Sequence, residues 1–231
     1  MKIEILFEDN HIIIVNKPNN VLIHNSYYAR NIKDETLLDL LFAQFGIHFY
    51  PVHRLDRKTS GVLMLAKQKE HVAIFQELFT ANQIQKTYLG IVRGFVDLSV
   101  SITSPVKNPD TKIYKDAETF CEPIYTKLLE IPVIPYDNSR YSLVKLTPST
   151  GRMHQLRIHM NKISHPIVGD YKYGDRFHNR MFENEFACEN LFLHAYSLRF
   201  TQPITKENIY LKSSMPTNWE KVFKIFDWNF K

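Results

Sequence analysis

An α+β fold is what the 231-residue sequence predicts. Two observations point there: short apolar runs of strand character far outnumber long helical patterns, and the two do not alternate along the chain as a doubly wound sheet would require. No internal repeat or low-complexity segment is visible. At 44% hydrophobic and 13% aromatic, the chain can bury a substantial core. It is expected to form a single domain over 1–231.

The elements follow in order. Ile3, Ile5 and Phe7 alternate, and Ile12 to Val15 form an apolar run bounded by Asn10 and Lys17-Pro18, which reads as strand, turn, strand. Residues 32 to 45 place Leu37, Leu38, Leu41, Phe42 and Phe45 at helical spacing, closed by Gly46. Val62 to Ala66 is an apolar strand, and 69 to 81 an amphipathic helix burying Val72, Phe75, Leu78 and Phe79. "KTYLGIVRG", 86 to 94, is a strand stopped by Gly94. Between 98 and 140 five prolines (Pro105, Pro109, Pro123, Pro132, Pro135) interrupt short pieces, which read as loops and edge strands. "YSLVKLTP" resumes strand character. Leu156, His159, Met160 and Ile163 then fit a helix over 154 to 163. "LFLHAYSLRF", 191 to 200, is a strand, and Trp219, Val222, Phe223 and Phe226 mark one face of a terminal helix.

Charge and cysteine content narrow the function classes. The balance of 29 Lys and Arg against 24 Asp and Glu gives +5, mildly favouring a polyanionic partner. The basic residues concentrate: between 145 and 180 stand Lys145, Arg152, Arg157, Lys162, Lys172, Arg176 and Arg180 against Asp170 and Asp175 alone. Such a patch either neutralises phosphates or is simply a solvated basic helix. Cys121 and Cys188 lack zinc-site spacing and read as buried thiols in a reducing compartment. Acids at Glu4, Glu8 and Asp9 precede the longest N-terminal apolar run, and no stretch approaches the roughly 20 apolar residues of a membrane span. A soluble cytoplasmic protein without a membrane partner is expected.

One stretch carries chemistry. "PVHRLDRKTSG", 51 to 61, sets Asp56 between Arg54 and Arg57 and closes with a turn. If the stretch is extended, Arg54 and Asp56 share a side, and the arginine holds the carboxylate ionised for attack or proton abstraction. An arginine–aspartate pair bracing a turn is the plainer alternative. His154 and His159, five apart, point to different sides of a helix, and neither HExxH nor a glycine-rich phosphate loop occurs, so no metal and no nucleotide cofactor is expected.

Taken together, "HRLDRKTSG" and the downstream "GRMHQLRIHM...HPIVGDYKYGD" closely resemble the signatures of the RluA family of pseudouridine synthases. "NKP" at 16 to 18, "QKTYLGIVRG" at 85 to 94 and "LFLHAYSLRF" at 191 to 200 match in order, so the likeness spans nearly the whole chain. The resemblance implies that family's catalytic fold, with a mixed, largely antiparallel central sheet flanked by helices and loops. It implies isomerisation of a uridine in RNA to pseudouridine without cofactor or metal. It assigns Asp56 the attack on the flipped nucleotide at C1′, and Tyr88 stacking on the base and a part in proton removal from C5. Arg157 is expected to pair with Asp56, and Arg54 to hold the backbone or fill the gap left by the base. Leu193 and His194 match a pocket-lining motif, while Arg57, Arg152, His154 and Gln155 are expected at the RNA. At Asn19-Asn20 the sequence departs from the glycine usual after NKP, and asparagine tolerates the left-handed turn this needs better than most residues.

The synthase motifs begin almost at residue 1, so no N-terminal S4-type domain is expected. That feature, with the stretches at 21 to 26 and 173 to 180, looks most like the branch modifying uridine 65 of certain tRNAs. Members acting on an anticodon stem-loop and on large-subunit rRNA are the nearest rivals, with tRNA favoured over rRNA. Two rivals of other classes are a non-catalytic RNA-binding module and a glycosidic hydrolase, the latter needing a second acid such as Asp170 or Asp175. A monomer without an obligate protein partner is expected.

Overall fold

The computed structural model describes residues 1–25, 34–108 and 111–230. Residues 32 and 33 of the first expected helix, Ser26 and Pro109 therefore lie outside the described residues. Along the chain run β1 (Glu4–Glu8), β2 (Ile12–Lys17), α1 (Leu37–Phe45), β3 (Tyr50–Pro51), β4 (Ser60–Ala66), α2 (Val72–Thr80), β5 (Gln85–Arg93), β6 (Val100–Thr103), β7 (Val106–Lys107) and β8 (Tyr114–Lys115). There follow β9 (Glu118–Leu129), β10 (Ser139–Pro148), α3 (Gln155–Lys162), α4 (Arg176–Phe186), β11 (Leu193–Thr201), β12 (Asn208–Lys212) and α5 (Thr217–Phe226). The fold is α+β, with antiparallel pairing wherever strand register is defined.

The chain folds as two compact units, Met1–Lys86 with Ala195–Met215, and Thr87–His194 with Pro216–Lys231. Neither is continuous, so no linker composition marks the crossings, and the sequence read as one domain. In the first unit the strand order is β1-β2-β4-β11, with β3 on β4 and β12 on β11. Its core joins Ile12, Ile14, Val62, Met64 and Phe75 to Leu198, Phe200 and Ile209 of the return segment. Helix α1 starts at Leu37 because Thr36 and Asp39 form a capping box, and it stops at Gly46, whose φ of 71° opens the left-handed turn.

In the second unit the order is β5-β10-β9-β6. One face carries Val92, Val144 and Leu146 against Leu156 and Met160 of α3. Around Tyr141 gathers a ring cluster of Phe182, Phe226, Phe192 and Trp219, in which Phe182 stands 5.0 Å from Tyr141. Removing each ring from water contributes roughly 1.5–3 kcal/mol. All four residues marking the terminal helix, Trp219, Val222, Phe223 and Phe226, are buried.

Between 98 and 140 the structure corrects the expectation of loops and edge strands. β9 is a strand of 12 residues paired along its length with β10, and Pro123 sits inside it. The register slips there, Pro123 facing Val144 while Tyr125 faces Leu143, so one extra residue is accommodated where proline lacks an N–H to donate. Helix α4 was also missed. Asp175 caps it by accepting from the Phe177 and His178 amides.

Candidate active site

The stretch holding Asp56 is a loop rather than a strand, ending in a turn in which the Thr59 amide donates to the Asp56 carbonyl at 3.0 Å. Pairing of Arg54 and Asp56 through strand alternation therefore does not apply. Arg54 is exposed, and Asp56 and Arg57 are half-buried. What fixes the loop is the end of β2. Lys17, 0% exposed, donates its ammonium to the carbonyls of Pro18 (2.8 Å), Val21 (2.9 Å) and Arg57 (3.0 Å). Burial pushes the Lys17 ammonium down to about 7, the negative charge of Asp56 opposing that fall and Arg57 adding to it. The Asn19 amide donates to the Lys58 carbonyl, and Asn20 takes the left-handed conformation with φ of 63°. The two asparagines thus make the turn and add a tie to the Asp56 loop.

Arg57 donates to the Asn20 carbonyl at 3.1 Å and pairs with Asp34 at 3.0 Å. Its guanidinium closes the loop on the protein, a different engagement from the RNA contact expected of it. Under the loop, His53 Nε2 accepts the Met64 amide at 3.0 Å and its ring lies 4.4 Å from Phe79. A nitrogen that accepts an N–H carries no proton, and burial, reinforced by the Lys86 charge, pushes the imidazole down to about 3. After the loop, Gly61 has φ of 108°, and a Cβ there would stand 2.1 Å from the Ala195 carbonyl oxygen. Only glycine lets β4 start at this point.

In the second unit, Arg157 on α3 is gripped by Asp170: Nε donates to Oδ2 at 2.7 Å and Nη2 to Oδ1 at 2.8 Å. Asp170 is 1% exposed, and burial alone would raise its pKa. The Arg157 hydrogen bonds and charge, with the Tyr173 and Lys172 amides at 3.0 and 2.9 Å, override that and hold the carboxyl below its ordinary range. The "HPIVGD" string has its reason here. Gly169 has φ of 77° and would place a Cβ 1.9 Å from the Asn190 carbonyl oxygen, while Asn179 of α4 binds the Gly169 amide and the Asp170 carbonyl.

The Arg157 guanidinium lies 5.1 Å above the Tyr173 ring, whose hydroxyl meets His154 Nδ1 at 3.0 Å. Arg157, Asp170, Tyr173 and His154 thus form one cluster. Gln155 is buried, with Oε1 accepting from Thr150 and the Arg152 amide and Nε2 donating to Glu118 and Thr119. Its place is to brace the Arg152 loop, so the RNA contact expected of it is corrected: no polar atom is left to offer. Arg152 itself is exposed, donates to the Asp116 carbonyl at 3.0 Å, and lines a pocket of about 180 Å³ with Lys107 and Lys115. Tyr88 is half-buried and packs on the α3-side cluster, to which Leu193 belongs. His194 is fully buried, 5.9 Å from Trp219, and burial pushes it down to about 3.

Sequence reasoning missed Lys17, Tyr173 and the true office of Asp170. The signals were present only as "NKP" and "GDYKYGD", whose partners lie far away in the chain. Both acids that the hydrolase alternative would draw on are engaged within the protein: Asp170 by Arg157, and Asp175 by Arg93 at 2.6 Å, with the Phe177 and His178 amides also holding Asp175 low against the effect of burial. Among the described residues no three His, Cys, Asp or Glu side chains gather as a metal site, and no helix is long and apolar enough to cross a membrane.

Comparison with known proteins converges on one chemistry. The family model described as RNA pseudouridylate synthase matches residues 11–162, a span that holds Asp56, Tyr88 and Arg157. A protein named tRNA pseudouridine synthase C from Haemophilus influenzae is 38% identical over 236 residues, 98% of either chain. Its namesake from Pasteurella multocida is 40% identical over 239 residues, 99% of this chain and 98% of its own. Among solved structures, human RNA pseudouridylate synthase domain containing 1 is similar with a TM-score of 0.74 at 26% identity, over 93% of this chain and 84% of that one.

Proposed function

From its membership of the RNA pseudouridylate synthase family, to which this chain belongs as an RNA pseudouridine synthase, we propose that it isomerises a uridine of tRNA, uridine 65. The observation that carries the reading is the Asp56 carboxylate, half-buried on a turn whose main chain is clamped by Lys17 and Asn19. Near full-length likeness to proteins named tRNA pseudouridine synthase C supports tRNA as the substrate class.

In this mechanism the Asp56 carboxylate forms a bond to C1′ as the C1′–N1 bond breaks, and the electron pair leaves with the uracil. The detached base turns, C5 attacks C1′, and the carboxylate is released. The proton on C5 is removed and N1 regains one, so product and substrate are isomers and no co-reactant is consumed. Tyr88 stacks on the flipped base, which offsets the cost of unstacking it, and takes part in the C5 deprotonation. Arg157 supplies the catalytic positive charge, held ionic and oriented by Asp170. Leu193 and His194 line the base pocket, while Arg54 and Arg152 with Lys107 and Lys115 engage phosphates.

The test is carbodiimide labelling and primer extension on unmodified tRNA and large-subunit rRNA treated with the purified protein, beside Asp56→Ala. A stop at tRNA position 65, lost in the variant, is the expected result. A stop elsewhere in either RNA overturns the site assignment, and an intact but unmodified tRNA that still binds overturns the catalytic reading. Released uracil would mean hydrolysis instead.

A further inference from the structure

Where β5 ends and β10 begins, the second unit holds a pocket of about 240 Å³ lined by Arg93, Asn138, Ser139, Arg140, Ser164 and His178. It does not share a face with Tyr88. Arg93 lies five residues beyond Tyr88 on β5, so the two side chains point to opposite faces about 17 Å apart along the strand. Tyr88 packs with the α3-side cluster, whereas Tyr141, opposite Arg93 in register, packs on Phe182 and Phe226.

The pocket is lined by donors. Burial keeps the Tyr141 phenol protonated, and its hydroxyl meets His178 Nδ1 at 2.7 Å. With Tyr141 as donor, Nδ1 is the acceptor and the imidazole proton sits on Nε2, which has no partner among the described residues. Burial likewise keeps this imidazole neutral. Ser139 is 1% exposed, and its hydroxyl lies within hydrogen-bonding reach of that of Tyr141. Arg93 is neutralised by Asp175 at 2.6 Å, and it also donates to the Ser164 carbonyl at 3.3 Å. Arg140, 5.8 Å over the Phe95 ring, has no acidic partner among the described residues. The result is one uncompensated positive charge beside one unused neutral donor, the His178 Nε2–H.

We propose that this pocket binds a phosphate group through Arg140 and His178, the latter oriented by Tyr141 and the Ser139 behind it, as an anion site separate from the Tyr88 face. The inference does not depend on which uridine is modified. Its chemistry suits equally a backbone phosphodiester of bound RNA and a free phosphate, and a single substitution tells these apart.

Titration calorimetry of the full-length protein with millimolar inorganic phosphate is the direct test, repeated on Arg140→Gln and Ser139→Ala. Arg140 is exposed, so the first variant keeps its fold, and thermal unfolding of both checks this. Phosphate binding by the parent protein, weakened about tenfold or more in Arg140→Gln and less in Ser139→Ala, is the expected result. If Arg140→Gln also weakens tRNA binding and reduces the slope of log K against log salt by about 0.9, the occupant is a backbone phosphate. Unchanged tRNA affinity beside lost phosphate binding assigns a free phosphate. Phosphate binding equal in all three proteins overturns the proposal, as does absence of phosphate binding with tRNA affinity and salt slope unaltered.

Discussion

The Asp56 loop and the Arg157 helix hold charged groups by opposite means. In the first unit the chain fixes main chain: Lys17 and Asn19 bind the carbonyls of Arg57 and Lys58, and the carboxylate side chain itself is left half-buried. In the second unit a side chain is fixed by another side chain, with Arg157 locked to a carboxylate that is itself held by two amides. On the proposed function, a nucleophile at Asp56 has to exchange water for substrate and back, which suits positioning through its backbone, and a cation at Arg157 whose work is electrostatic gains from a partner that fixes its plane.

The most severe way to break this comparison is Asp170→Asn. It leaves Arg157 largely buried without its counter-charge, and about 3–5 kcal/mol of stability should be lost. Urea unfolding measures that loss, and pseudouridine formation should fall with it. If stability holds while activity falls, the pair serves orientation alone.

Lys17→Met comes next. Methionine keeps the packing but leaves three carbonyls without their donor, at about 1–3 kcal/mol. Because the loop and not the RNA surface is loosened, kcat should fall more than KM rises. A change in KM alone would show that Lys17 serves binding, and the contrast between the regions would fail.

The smallest effect sharpens the comparison through pH. His53 in the first unit and His194 in the second are both held down to about 3, against roughly 6.5 when unfolded. Between those values the unfolded chain binds protons that the folded chain does not. Stability is therefore complete above about pH 6.5 and is lost as pH falls toward 3, by about 1.4 kcal/mol per unit for each histidine. Urea midpoints between pH 7 and 5 read the slope, and His53→Gln should reduce it by one histidine's share. An unchanged slope would mean that His53 titrates normally in the fold.

These regions also differ in how far they could be read beforehand. Asp56 and Arg157 stood in strings that resemble a family, and α5 announced itself because its four apolar residues fall on one face. Lys17 was opaque: a lysine ending an apolar strand reads as solvent-facing, and its buried ammonium is satisfied by the Arg57 carbonyl 40 residues away. Helix α4 hid because polar His178 and Asn179 share its buried face with Met181 and Phe182. In β9, Pro123 argued for a loop, since a bulge cannot be seen until the partner strand is known. Gln155 looked like a base-reading amide because its type, not its burial, is what a sequence displays.

The first unit has one more property, which concerns synthesis. Its core needs Leu198, Phe200 and Ile209, so Ile12, Ile14 and Met64 wait for the last fifth of the chain before they are fully covered. While the ribosome is still extending the polypeptide, that half-made sheet has a bare apolar edge where β11 will dock. The second unit, apart from α5, is already translated by then. Closing so long a loop is slow rather than costly, since its entropy rises only with the logarithm of its length. The unit that carries Asp56 thus cannot close until its return segment is made, and a truncated chain ending before Ala195 would carry the Asp56 loop without the strand that Gly61 was shaped to meet.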